Sequence, residues 1–354
     1  MASDIESTLS DQEQIELLHG LVSIPSLSFE EADAVRYLVD WMAARGFDAR
    51  IDEIGNAVGT VGQGERHIVL LGHIDTVPGE IPVQIEDGVL WGRGAVDAKG
   101  PLATYAAAAA LAAPRLNVKV TVVGAVGEES IGSRGANHVK HWPAPDVCLI
   151  GEPSGWDAVC LGYRGTVSFT YELREAGRHT AGPGESVCEQ AVAFWNAVCA
   201  EMARRNGEAT GFNAIGCSLR GMGSESDGLH DVARLSCGLR VPPGVDVDEI
   251  EAVVRSLAGD ATIDLHGAQA GYRTDRKSPL TAPFNRAIRA QGGTPRFTVK
   301  LGTSDMGVVG PVWRCPIVAY GPGDASLDHT PDERIVLDEY LRAVRILTEV
   351  LTSL

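Results

Sequence analysis

The stretch His67-Ile68-Val69-Leu70-Leu71-Gly72-His73-Ile74-Asp75-Thr76-Val77-Pro78 decides the fold. Its apolar opening reads as a short buried strand over residues 67–71, and the chain leaves it through glycine into a His-x-Asp and a proline. An alanine-rich helix follows from about Pro101, where proline is tolerated because first-turn amides have no helical partner. Residues 118–126, rich in valine, make a second strand. Strand, helix and strand in that order imply an α/β layer with a mainly parallel sheet. Helical spacing over residues 11–22 and 29–45, the latter ending at Gly46, adds two helices ahead of the first strand.

Working outward, the pattern changes after Gly162. Strand 166–173, long helix 186–205, strands 213–220 and 233–241, helix 246–258 and strand 262–266 form a β-α-β-β-α-β series. That is the order of the split-βαβ, ferredoxin-like arrangement. After Pro279 the chain regains α/β character and ends in an amphipathic helix over residues 337–351. The expected layout is a discontinuous catalytic domain, residues 1–162 and 273–354, into which a smaller α+β domain, residues 163–272, is inserted.

Composition narrows the function. The 354 residues carry 30 Lys+Arg against 47 Asp+Glu, a formal net charge of -17. Nucleic acids and anionic membranes require positive potential, so neither is an expected partner. The best apolar run, residues 102–113, is too short to span a bilayer and reads as a buried helix. Residues 1–14 are polar and acidic, unlike a signal peptide. The seven cysteines are scattered, odd in number and lack a C-x-x-C, which suits reduced thiols in a cytoplasmic protein. Any metal must therefore be held by histidine and carboxylate.

Five short segments concentrate acids and histidines. They are Gly72-His73-Ile74-Asp75-Thr76-Val77-Pro78, Gly92-Arg93-Gly94-Ala95-Val96-Asp97-Ala98-Lys99-Gly100, Gly127-Glu128-Glu129-Ser130, Gly151-Glu152-Pro153-Ser154 and Asp328-His329-Thr330-Pro331. His73, Glu128 and Glu152 each follow an apolar run, which places them at carboxyl ends of strands, where open α/β sheets bind ligands. One His-x-Asp or one Glu-Glu alone is usually a solvated pair. Together, two histidines and three carboxylates suffice for a two-metal hydrolytic site with one bridging carboxylate.

These five segments resemble peptidase family M20, the dinuclear zinc peptidases and deacylases, and the likeness runs from residues 17–26 to the last helix. The resemblance implies that His73, Asp97 and Glu152 bind one metal ion and Asp97, Glu129 and His329 the second. Zinc is the expected metal, with cobalt an alternative. It further implies a cis Asp97–Ala98 peptide, Asp75 orienting His73, and Glu128 as the general base. Glu128 would take a proton from water and return it to the leaving amine. His179, in the inserted domain, would face the developing oxyanion. Arg240 is expected to grip a substrate carboxylate, and Gly302, Thr303 and Ser304 to line the substrate site. Where many relatives read Asn-x-x-Pro, this chain reads Asp227-Gly228-Leu229-His230. In relatives the inserted domain serves as lid and dimerisation surface, so a homodimer is expected.

Within the family, the run Lys300-Leu301-Gly302-Thr303-Ser304-Asp305-Met306 looks most like the branch that releases lysine or ornithine from a small acidic amino-group carrier protein. A docking surface for such a carrier needs local positive charge. Residues 273–300 hold Arg273, Arg276, Lys277, Arg286, Arg289, Arg296 and Lys300 against Asp275 alone, a net of +6. The competing readings are a deacylase of acetylornithine or acetylcitrulline type, a dipeptidase, and an inactive binding homologue.

Overall fold

The computed structural model describes residues 9–179 and 181–354. The chain divides into two compact units. The first comprises Met1–Gly162, Thr274–Val299 and Ser304–Leu354, and the second Tyr163–Arg273 with Lys300–Thr303. Residues 300–303, read from the sequence with the first unit, group with the second. Local bonds show why: Arg164 Nε donates to the Leu301 carbonyl at 3.0 Å and Arg240 Nη1 to Thr303 Oγ1 at 3.1 Å.

In the first unit, strand His67–His73 pairs parallel with Lys119–Ala125 on one side and with Val147–Gly151 on the other. Val147–Gly151 pairs parallel with Ile317–Ala319. Six of the seven residues in each of the first two strands are buried, as a sheet covered on both faces requires. The antiparallel strands Asp48–Ile51 and Ala57–Val61 extend one edge. Both are short, and the second carries a glycine, so neither gives a strong local signal.

The alanine-rich helix is Lys99–Ala112, starting two residues earlier than Pro101 and directly after a cis Asp97–Ala98 peptide. It is buried on almost every side, because its small side chains allow close approach by the sheet, by helix Asp11–Ser23 and by the final helix Leu337–Ser353. A small antiparallel sheet of Gln84–Glu86, Val89–Trp91 and Arg334–Val336 gives no clear sequence signal. It nonetheless ties the stretch before Asp97 to the stretch after His329.

The second unit is a four-stranded antiparallel sheet in the order Gly216–Ser226, His230–Val241, Gly165–Ala176, Thr262–Gln269. With helices Val187–Asn206 and Val247–Leu257 it has the ferredoxin-like arrangement. Tyr171 stacks on Phe194 with ring centroids 4.4 Å apart, joining the long helix to the sheet. Strand Gly216–Ser226 outlasts the expected 213–220 because its weak strand formers, Gly221, Gly223 and Ser224, pair residue by residue with the next strand. The hairpin is closed at Asp227, whose carboxylate accepts the Leu229 and His230 amides, and Gly228 supplies φ +85°. Among the described residues, no helix is long and apolar enough to cross a membrane.

Candidate metal centre

Four of the candidate residues sit at the carboxyl edge of the parallel strands. His73 ends its strand, Glu128 and Glu129 lie in the turn after Lys119–Ala125, and Glu152 directly follows Val147–Gly151. The turn into Glu128 needs glycine at 127, where φ is +73° and a Cβ would meet Arg134 at 2.9 Å. Asp97 lies just before the alanine-rich helix, and His329 in the loop before strand Arg334–Val336. Residues from positions 73 to 329 are thus brought to one place.

Asp97 is at the centre. Its Oδ1 lies 3.2 Å from His73 Nε2 and its Oδ2 3.1 Å from His329 Nε2. His329 Nε2 is also 2.9 Å from Glu129 Oε1. Ligand atoms of His73, Asp97 and Glu129 lie within 4.8 Å of one another. Asp97 therefore presents one oxygen to each histidine, the arrangement a bridging carboxylate needs. Glu152 is buried and close enough for its charge to act on Glu128.

The buried Asp75 organises this group. His73 Nδ1 lies 3.0 Å from the Asp75 main-chain oxygen and 3.6 Å from its carboxylate. The carbonyl is the nearer of the two acceptors. The carboxylate itself accepts the Glu128 amide through Oδ1 and the Glu129 amide through Oδ2, both at 3.0 Å. The Ser28 hydroxyl donates to Oδ2 at 2.6 Å.

Charge follows from crowding. Burial pushes the Glu128 carboxyl well up, and the charges of Asp305, Glu152 and Glu129 add to it while His73 opposes. Burial likewise lifts Asp305 to about 7. His329 is raised to about 10 by its bonds to Asp97 and Glu129. Burial opposes a charge on His73, but Asp75 and Asp97 overcome it and hold the ring's pKa well above the ordinary range. Several carboxylates gathered in a part-buried space repel one another unless protons or a cation sit among them. The donors are nitrogen and oxygen in a set suited to divalent first-row ions, so these residues fit a metal.

Asp52, Glu53 and His138 also bring ligand atoms within 4.8 Å of one another. There the Asp52 carboxylate is already taken by the Ile54 and Asn56 amides and the Asn56 side chain.

The other expected site residues divide between the units. Ser304, in the first, is buried, and its hydroxyl accepts the Met306 amide at the start of a helix. His179, Arg240, Gly302 and Thr303 belong to the second. His179 is exposed in the loop before helix Val187–Asn206, its Nδ1 accepting the Ala181 amide at 3.1 Å. Arg240 and Thr303, both expected to meet substrate, are bonded to each other. Asp227-Gly228-Leu229-His230 serves as the hairpin turn described above. Sequence reading missed Ser28, Asp305 and Glu333. The first has no local signal, and the other two lie in or beside quoted motifs without a residue pattern that marks them.

Residues 69–353 match the family model described as peptidase family M20/M25/M40. The chain belongs to this family. It is a metal-dependent amidohydrolase, and its fold class is the one the sequence implied. Over 348 residues it is 45% identical to the LysW-lysine hydrolase of Deinococcus radiodurans, covering 96% of both chains. In fold it is similar to an M20 family metallo-carboxypeptidase from Sulfolobus solfataricus, with TM-score 0.81 and 18% identity over 96% of this chain and 98% of that one. It is also similar to a dinuclear metal-binding peptidase of the M20 family from Bacillus subtilis, with TM-score 0.71 and 12% identity over 97% of each chain.

Proposed function

We propose that this protein hydrolyses the amide bond joining lysine, or ornithine, to a small acidic amino-group carrier protein, within amino-acid biosynthesis. The observation that carries the reading is Asp97 set between His73 and His329, beside Glu128 and Glu129, in a chain 45% identical to a LysW-lysine hydrolase.

His73, Asp97 and Glu152 would hold one divalent ion, and Asp97, Glu129 and His329 the second, zinc in preference to cobalt. When bound, such ions polarise a carbonyl and make water acidic near neutral pH. Glu128 then does the proton work: it accepts a proton from water and delivers it to the departing amine. Asp75 holds the Glu128 backbone still while it does so. His179 Nδ1 accepts the Ala181 amide, which leaves Nε2 as the ring nitrogen to donate to an oxyanion. Arg240, with Gly302, Thr303 and Ser304, meets the substrate.

Carrier docking is supported by helix Thr281–Ala290, which buries Phe284 and Ile288 and leaves Arg286 and Arg289 exposed. Arg296 contributes less, since Asp157 pairs with it at 2.5 Å. A homodimer is supported by strand Gly216–Ser226, an exposed sheet edge bearing Leu219 and Met222. The free cysteines support a reducing compartment, the cytoplasm.

The test is a substrate panel with purified, metal-loaded protein. Turnover of the carrier conjugates with lysine and ornithine should exceed that of acetylornithine, acetylcitrulline and dipeptides. Faster turnover of the free acyl-amino acids would reassign the protein as a small-molecule deacylase.

A further inference from the structure

Glu333 is completely buried, yet it is a carboxylate. Such a group needs compensation for every lone pair it takes out of water. Its Oε1 accepts the main-chain amides of Val96 at 2.9 Å and Asp97 at 3.0 Å. Its Oε2 accepts Arg93 Nη1 at 2.7 Å, and Arg93 Nε in turn donates to the Gly79 carbonyl at 3.0 Å. The Glu333 main-chain oxygen accepts the Gly92 amide at 3.3 Å. Strand Arg334–Val336 continues this pairing with Val89–Trp91.

Both carboxylate oxygens are thus occupied, so Glu333 is no ligand itself. What it holds is the amide of Asp97, the residue whose two oxygens face His73 and His329. Fixing that amide limits rotation of the Asp97 backbone, and hence the direction in which its side chain leaves. Glu333 also lies four residues after His329, at the root of the loop that carries it. One side chain therefore sets the spacing between the bridging carboxylate and the histidine on its far side.

We infer that Glu333 is a positioning residue for the metal centre, acting through the Asp97 amide and the His329 loop. This rests on the reading of Asp97 as a bridging ligand. Groups that orient metal ligands are typically worth about 10–100-fold in metal affinity. Glu333→Asp keeps the charge but shortens the reach by one methylene, whereas Glu333→Gln keeps the reach and one acceptor oxygen for the two amides but turns a donor NH2 toward Arg93.

The experiment is titration of the metal-depleted full-length protein with Co2+, following both affinity and the visible absorption spectrum. Thermal unfolding of the metal-free variants is measured alongside. Glu333→Asp should bind Co2+ about 10–100-fold more weakly, with an altered spectrum. Glu333→Gln should bind Co2+ more tightly than Glu333→Asp, because it keeps the two amide bonds, while the lost Arg93 pair lowers its unfolding temperature. Wild-type Co2+ affinity and spectrum in Glu333→Asp, with only a lowered unfolding temperature, would overturn the inference and leave a purely structural residue. Asp97→Asn separates this from the underlying reading: if Asp97→Asn itself binds Co2+ as well as the parent, the bridging assignment fails, whatever Glu333 does.

Discussion

Asp75 accepts the main-chain amide of Glu128 at 3.0 Å. The residue that braces His73 thereby also fixes the backbone of the proposed general base, while its second oxygen fixes that of Glu129. The proposed metal ligands and the proposed proton carrier share one buried anchor. Asp75→Ala would orphan two amides and the Ser28 hydroxyl in the interior, at a cost of about 3 kcal/mol in stability. Denaturant unfolding of the metal-free protein should show that loss, and metal affinity should fall with it. An unchanged midpoint would mean that the turn at residues 127–130 holds itself.

Glu128→Gln removes the proposed proton carrier without touching a proposed ligand. Turnover should drop by about 10²–10⁴-fold, while metal content measured by elemental analysis stays at the parent level. Retained hydrolysis would contradict the role given to Glu128.

Arg286 and Arg289 offer a test of docking apart from chemistry. Replacing both by glutamate should weaken kcat/KM for a carrier conjugate several-fold, with the loss shrinking at high ionic strength. Hydrolysis of a small acyl-amino acid should be spared. Equal loss on both substrates would show that the helix supports the fold or the site rather than the carrier.

The exposed edge strand Gly216–Ser226 predicts association through the second unit. Leu219→Lys with Met222→Lys places charge on that edge and should shift the protein from dimer to monomer in sedimentation. A parent protein already monomeric at micromolar concentration would dismiss the dimer.

His67 supplies a pH effect away from the site. Its Nε2 is 2.9 Å from Thr121 Oγ1, and burial, with Lys119 nearby, lowers it to about 4 from the 6.5 of an ordinary histidine. The unfolded chain therefore binds the extra proton between those values. The contribution of His67 is fully present above about 6.5 and is lost as pH falls toward 4. His67→Gln should flatten the dependence of the unfolding midpoint on pH across that window. An identical slope in both proteins would remove His67 as its source.

The sequence by itself determined the α/β frame, the inserted β-α-β-β-α-β unit and the candidate chemistry. These are local signals: apolar runs of strand length, glycines and prolines at their ends, acids and histidines just beyond. Only the tertiary structure decided how the pieces constrain one another. It placed Lys300–Thr303 with the second unit, ran strand Gly216–Ser226 past its weak formers, and put the Asp75 carboxylate on the Glu128 and Glu129 amides. It also joined Glu333 to the Val96 and Asp97 amides, 237 and 236 residues away. A hydrogen bond across that separation leaves no periodicity in the chain. Its partners become neighbours only when the small sheet closes beside the centre, and so the geometry of the site belongs to the fold.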